Sequence, residues 1–498
     1  MEKKYVIAVD QGTTGTRVVL FNRQGEIVDW AYREIEQIYP HPGWVEHNPM
    51  EYFDTMMDCM GEIFDRSRVN PDYIASIGIT CQRETTILWD KDTGMPVYNA
   101  IVWQSRQTAA ICDEYKEKGY EDIVREKTGL VIDPYFSVSK IKWILENVDG
   151  VKDKVGQGKI LMGTVDTWLI WKLSCGAYHV TDHTNASRTQ LFNIKTLSWD
   201  EELFEMFGIP QEIMPEVVPS CGICAYTSKD VFFGKEVPIA GVIGDQQAAT
   251  FGQACFEPGL GKNTYGTSLA FMMNIGTRPV LSQSRMLTDL LWHMDGTTHY
   301  ALEAIIFVGG AAIQWLRDGL RIIDSPSECD KLAQRVDDTG GVYTVPAFTG
   351  MGFPHWDPYA RGLIIGITRG TTKEHVARSV LESLAYQTRD MLEAATRDSG
   401  QKAVALRVDG GATKSEFLMQ FQADILGIPV YKPAITEMAA LGAAYLAGLG
   451  ADFWKDVDEI GKLWKVDKIY EPKMPTEKSE QLYHGWKKAI KRSLNWAK

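Results

Sequence analysis

Asp10 is followed by Gln11-Gly12-Thr13-Thr14, a set of residues suited to handling phosphate. Gly12 lets the main chain approach an anion closely, N–H groups of the turn can point into it, and Thr13 and Thr14 add hydroxyl donors. Asp10 can hold a divalent cation through water. Arg83 and Glu84 set a fixed cation beside a carboxylate. One donates hydrogen bonds and the other accepts them, which is what adjacent hydroxyls of a polyol require. Asp245, within Gly244-Asp245-Gln246-Gln247, is a carboxylate able to bind metal or take a proton. Near the middle of the chain, Tyr265-Gly266-Thr267-Ser268 repeats the opening Gly-Thr-Thr pattern, so two lobes of related fold are expected, each with a phosphate turn.

These residues need rigid elements behind them. The β-branched run Val6-Ile7-Ala8-Val9 reads as a buried strand that delivers Asp10, and the Gly12 turn sends the chain back through Arg17-Val18-Val19-Leu20-Phe21. Residues 27–31 make a third, antiparallel strand. Residues 74–80 form a strand that carries Arg83-Glu84 at its end. The apolar Ile87-Leu88-Trp89 that follows argues for depth, where an unpaired charge costs several kcal/mol. Residues 101–104 read as a strand bearing Trp103, whose ring either packs on the carbon side of a polyol or fills the core. A strand ending at Gly244 opens into a helix at Asp245, whose N-terminus favours negative charge.

Asn48-Pro49-Met50-Glu51 reads as a helix start, with Asn48 as N-cap and Glu51 completing a capping box, and the helix runs to about Arg66. Val308-Gly309-Gly310-Ala311 is a small-residue helix start suited to close ligand contact. Leu406-Arg407-Val408-Asp409-Gly410-Gly411 is a further strand ending in an Asp-Gly-Gly turn before a helix over 417–426.

A chain of 498 residues exceeds what one core supports, and two domains are expected. A net charge of −13 argues against nucleic-acid and anionic-membrane partners. No apolar run reaches the roughly 18 residues of a membrane span, and no secretory leader precedes Asp10, so the cytoplasm is the expected compartment. The eight cysteines are scattered. Cys221 and Cys224 form a C-x-x-C without the second pair a zinc knuckle needs, so reduced thiols are expected. His41 and His47, in the loop before Asn48, lack a third metal ligand and read as structural.

The chain resembles the FGGY family of carbohydrate kinases, and within it the members that phosphorylate glycerol. The resemblance covers nearly the whole length. It rests on Asp10-Gln11-Gly12-Thr13-Thr14, Gly43-Trp44-Val45-Glu46-His47, Gln82-Arg83-Glu84-Thr85-Thr86, Gly163-Thr164-Val165-Asp166-Thr167-Trp168, Asn185-Ala186-Ser187-Arg188-Thr189, Gly244-Asp245-Gln246-Gln247 and Arg407-Val408-Asp409-Gly410-Gly411. It implies an α/β chain of two actin/hexokinase-like (ribonuclease H-like) domains, here residues 1–252 and 253–498, with ATP in the cleft between them and hinge closure on substrate. Arg83, Glu84, Tyr135, Asp245 and Gln246 would then bind glycerol, with Trp103 beside them. Asp245 would be the base, and Asp10 with Asp245 would address Mg²⁺. Thr13, Thr14, Gly15, Arg17 and Thr267 would meet the phosphates, and Gly310, Gln314, Gly411 and Ser415 would frame the nucleotide. The resemblance also implies a homo-oligomer.

Three positions depart from the pattern of those members: Gly15 stands for a serine, Ser415 for an asparagine, and Ala270 for an aromatic, with Phe271 one place on. Residues 228–236 lack the features of two known controls, so neither is expected. Ala270 motivates a second reading, a kinase for another polyol or ketose. An actin-like assembly ATPase shares the phosphate turns but has no use for Arg83-Glu84.

Overall fold

The computed structural model describes residues 2–498. Two sheets organise it. The first runs, in spatial order, Cys221–Tyr226, Pro238–Gly244, Ile74–Cys81, Tyr5–Gln11, Gly15–Asn22 and Ile27–Glu34. The second runs Leu287–Met294, Thr297–Ile306, Leu269–Gly276, Leu260–Tyr265, Ala405–Asp409, Val430–Pro433 and Val466–Tyr470. In each, a strand forms an antiparallel hairpin through a glycine turn and pairs on its other side with a parallel strand, as in Asp10 opposite Arg17 and Thr80, and Thr264 opposite Ala270 and Asp409. The repeated Gly-Thr motif therefore marks the same turn in two copies of one topology.

The opening strand shows why its apolar run is unbroken. Ile7 and Val9 face a core shared with the Pro49–Ser67 helix, and Val6 and Ala8 face the opposite core beneath the Met438–Gly450 helix. A strand covered on both faces has no polar side to show.

The Met438–Gly450 helix is apolar all round because it is enclosed by the first sheet and by the Asp245–Gly252 helix. Glycines let these backbones meet: a Cβ at Gly78 would collide with the Ala443 carbonyl, and one at Gly442 with that of Ala248. Ser76 Oγ donates to Ala447 O at 2.8 Å, and Trp454 Nε1 to Arg23 O at 2.9 Å. The late part of the chain is thereby fastened to the early sheet.

Two local expectations change. The strand expected over 101–104 is only Ala100–Ile101, and Trp103 lies in the turn beyond it, its N–H donating to Thr85 Oγ1 rather than to a ladder. Asn48 caps its helix through Met50 N, but the Glu51 carboxylate reaches the Glu36 N–H instead of closing a capping box. Among the described residues no helix is long and apolar enough to cross a membrane, and all eight cysteines are free.

Substituting Gly442→Val is expected to cost about 1–3 kcal/mol or more, because the added methyls have no space between two packed backbones. Thermal melting reads this directly, and an unchanged melting temperature would contradict the helix contact described.

Candidate active site

Strand register brings the acidic tips together. Asp10 pairs with Thr80, and Gly244 pairs with Cys81, so Asp10, Arg83 and Asp245 leave the first sheet along one edge. Burial, reinforced by Asp245 nearby, pushes the Asp10 carboxyl up to about 7, with Arg17 opposing. Asp245 opens its helix, accepts from Gln246 N at 2.7 Å and lies 3.3 Å from Arg83 Nε; its side chain remains 32% exposed.

Around the first glycine turn, Gly12 N donates to Gly15 O at 3.0 Å. Thr13 Oγ1 accepts from Trp103 Nε1 at 2.9 Å, which ties the turn to the aromatic wall beside it. Thr14 is exposed, with Tyr32 OH at 3.4 Å. A Cβ at Gly15 would fall 2.5 Å from that same hydroxyl, so Tyr32 occupies the space a serine there would need. Arg17 lies over the rings of Trp30 and Tyr32 and 3.5 Å from Glu437.

Two cavities meet at the second glycine turn. One, of about 600 Å³, is walled by Trp103, Tyr135, Phe307, Ile305 and Glu303, with Trp103 edge-on to Tyr135 at 5.5 Å. The other, of about 670 Å³, is lined by Gly310, Gln314, Gly411, Ser415 and Asp330. Thr267, at the second glycine turn, lines both. Gly310 N donates to Gly266 O at 2.8 Å, and a Cβ at Gly310 would sit 2.7 Å from that oxygen, so this close approach requires glycine. The Ser415 hydroxyl is committed to the Asp330 carboxylate and to capping its helix at Leu418 N.

Arg83 and Glu84 are buried, as their apolar surroundings suggested, but not as a pair with each other. Arg83 Nη2 meets Glu303 Oε1 at 2.5 Å, while Glu84 Oε1 accepts from Arg188 Nε at 2.5 Å; the direct Arg83–Glu84 separation is 3.8 Å. Arg188 also holds Asp289 and, at 2.9 Å, Glu303. Tyr135 OH lies 3.4 Å from Arg83, and burial with the nearby Glu84 charge raises its ionisation well above the ordinary tyrosine value. Gln246 accepts from Lys262 and lies beside Asp245, whereas Gln247 is the amide that meets Arg83, at 3.2 Å.

Arg188, Gln247, Lys262, Asp289 and Glu303 were not among the residues singled out from sequence. The signal for three of them was available: Lys262, Asp289 and Glu303 are charges inside strand segments, the last two beside the apolar runs Leu290-Leu291-Trp292 and Ala304-Ile305-Ile306, where an unmatched charge is prohibitive. The period of two puts Ala270 and Phe271 on opposite faces of their strand. Phe271 points into the second core, and Ala270, opposite Ile305, lies on the face that carries Glu303.

Family models cover most of the chain. The N-terminal domain model of the FGGY family of carbohydrate kinases matches residues 5–252, and its C-terminal domain model matches 261–451. The chain is 57% identical to glycerol kinase 2 of Thermotoga maritima, across 99% of this chain and 100% of that one. It is 56% identical to glycerol kinase of Bacillus subtilis, across 98% and 99%. Among solved structures, Plasmodium falciparum glycerol kinase with ADP superposes with a TM-score of 0.94 at 35% identity, covering 99% of each chain. Gluconate kinase from Lactobacillus acidophilus gives 0.87 at 25% identity, again over 99% of each. With both domain models matched in order, and relatives of this identity aligned end to end, the chain belongs to the FGGY family of carbohydrate kinases.

Proposed function

We propose that this chain transfers the terminal phosphoryl group of ATP to a primary hydroxyl of glycerol, forming sn-glycerol 3-phosphate, with residues 1–252 and 253–498 as the two domains that close on the substrates. The observation that carries the reading is the shared wall at Thr267: a nucleotide-sized cavity meets a polar-and-aromatic cavity whose Glu303 wall grips Arg83, itself 3.3 Å from the accessible Asp245 carboxylate. The extent of similarity to chains named glycerol kinase, one of them solved with ADP, supports the choice of substrate and nucleotide.

Phosphoryl transfer needs positioning and charge compensation more than covalent help. Arg83 donates to the polyol hydroxyls, and Glu84 accepts with the oxygen capacity Arg188 leaves free. Trp103 and Tyr135 pack on the carbon side. Asp245 takes the proton of the attacking hydroxyl. Gln246, beside Asp245 and locked by Lys262, orients that carboxylate. Thr13, Thr14 and the backbone at Gly15, with Arg17 behind, receive the phosphates from one side and Thr267 from the other. Gly310, Gln314, Gly411 and Ser415 line the nucleotide cavity.

Asp10 and Asp245 fit Mg²⁺. Both offer hard oxygen donors, and the Asp10 carboxyl is raised by burial first and by the nearby Asp245 second, both costs of its charge that a divalent cation relieves. Among the described residues no group of three or more His, Cys, Asp or Glu could hold a metal alone, which suits an ion shared with phosphates. When bound, it neutralises charge on the transferring phosphates.

Ala270, on the strand face that carries Glu303 and without the aromatic of glycerol-phosphorylating members, motivates a second reading, a longer polyol or ketose as acceptor. An ADP-release assay across glycerol, xylulose and gluconate with Mg²⁺–ATP separates the two. Turnover on glycerol supports the proposal, turnover only on a longer acceptor transfers it to the second reading, and acceptor-independent hydrolysis contradicts both.

Asp245→Asn is expected to keep nucleotide affinity and lose on the order of 10²–10⁴ in kcat; turnover near the wild-type value would remove the base assignment. Arg83→Ala is expected to raise the glycerol KM by about 30-fold or more, the lower range for truncating one member of a buried charge pair. An unmoved KM would place the polyol elsewhere.

A further inference from the structure

Two guanidinium groups, Arg83 and Arg188, share one buried pocket of the molecule with three carboxyl groups, Glu84, Asp289 and Glu303, every one of them buried. Arg83, Glu84 and Arg188 come from the first half of the chain, whereas Asp289 and Glu303 come from paired strands of the second sheet. With every group ionised, this pocket would carry an uncompensated negative charge out of water. Such a charge costs several kcal/mol, and the usual outcome is that one group neutralises instead.

Asp289 is the group placed to do so. Its Oδ1 accepts from Arg188, but its Oδ2 is buried with no hydrogen-bond partner and stands 3.9 Å from Arg83 Nη1. An ionised carboxylate would leave that oxygen unsatisfied, whereas an acid lowers the cost. Glu303, by contrast, is engaged at both oxygens, by Arg83 and by Arg188. The two carboxyl groups also converge on one donor: Arg188 Nη1 meets Asp289 Oδ1 and Glu303 Oε2.

We propose that Asp289 and Glu303 share one proton, and that Asp289 in its neutral form is a positioning residue that leaves the Arg83 guanidinium available to the polyol. The proposal rests on the polyol reading of Arg83 given above. Neutral Asp289 makes the charges of the pocket cancel. Once ionised, its free Oδ2 becomes a rival anion on the flank of Arg83 and draws Nη1 away from Gln247 and the cavity.

The electrostatics agree in direction. Burial, with Glu303 adding to it and Arg188 and Arg83 opposing, pushes Asp289 up to about 8. Burial acts against Glu303 too, but Arg188 and Arg83 hold its carboxyl well below the ordinary range. The other charged and titratable groups of this region are Glu84, behind Arg188, Asp245, 3.3 Å from Arg83 Nε, the Tyr135 phenol beside Arg83, and buried Lys262, whose ammonium feels Asp245 and Glu303; His293, farther along the strand of Asp289, stacks on His183 of the His183–Ser187 helix. Because the native value lies above the ordinary 3.8, stability linked to this proton is present in full below about pH 4 and is lost as pH rises through about 8.

The test compares the glycerol KM at pH 7 and pH 9 with saturating Mg²⁺–ATP. For a single proton lost near pH 8, KM in the wild-type chain is expected to rise about tenfold over this interval. In Asp289→Asn, which cannot ionise, the ratio is expected to fall to about one, while the pH dependence of kcat stays as in wild type. A flat wild-type ratio, or a tenfold rise kept by Asp289→Asn, overturns the proposal. Where that variant does not fold, Glu303→Gln removes the same surplus charge and is expected to flatten the ratio, and a retained rise again overturns it. Isotope-edited infrared spectra of ¹³C-aspartate protein read the proton without turnover. A protonated-carboxyl band at pH 7 that is missing from Asp289→Asn is expected, and identical spectra overturn the assignment. Failure of wild-type protein to phosphorylate glycerol at pH 7 counts against the polyol reading alone, and the infrared comparison still decides the shared proton.

Discussion

Charge removed from water has to be met by counter-charge, and in this molecule part of the counter-charge comes from the other half of the chain. In the first half the buried guanidinium groups of Arg83 and Arg188 have one buried carboxylate, Glu84; Glu303, carried on the second sheet and held by both arginines, supplies the second. The residues proposed to recognise a polyol are therefore finished only when the two halves are together. This couples substrate recognition to the relative placement of the two sheets without any separate signalling element.

A second constraint acts behind the site. The Met438–Gly450 helix belongs late in the chain, yet its backbone lies against the first sheet and the Asp245–Gly252 helix at positions where only glycine fits. The helix that begins with Asp245 is thus pinned from behind by chain from the far end of the sequence. Its first residue faces the cleft. Rigidity at the base of Asp245 and ionic complementarity at Arg83 act on the same edge of one sheet, which is what an in-line transfer between two bound molecules requires.

Much of this was legible in the sequence because it follows from local rules. The apolar run before Asp10, the glycine turn, its echo at Gly266 and the strand-to-helix switch at Asp245 are short-range patterns, and each appears as an element at nearly the expected place. What was not legible depends on pairing between distant segments. Nothing near Arg83 announces that its partner is Glu303 rather than adjacent Glu84, because sequence adjacency at a turn does not make side chains face each other. Trp103 was expected on a strand and lies in a turn, since the polar contacts that hold it, Thr13 and Thr85, come from two other loops. Gly15 looked like a lost hydroxyl, but Tyr32 on the neighbouring strand fills that space. The charges at Lys262, Asp289 and Glu303 were readable as anomalies, though not as partners of any particular group.

On the proposed function, one cleft between the halves holds a nucleotide's outermost phosphate against a small polyol, with carboxylates from strand ends between them. A crystal structure with glycerol and a non-hydrolysable ATP analogue bound together tests it most directly. Glycerol is expected between Trp103 and Arg83, with a terminal hydroxyl at Asp245, and the γ-phosphate between Thr13 and Thr267. Nucleotide in the Gly310–Gly411 cavity with glycerol bound away from Arg83, or with Asp10 and Asp245 remote from both ligands, would contradict it.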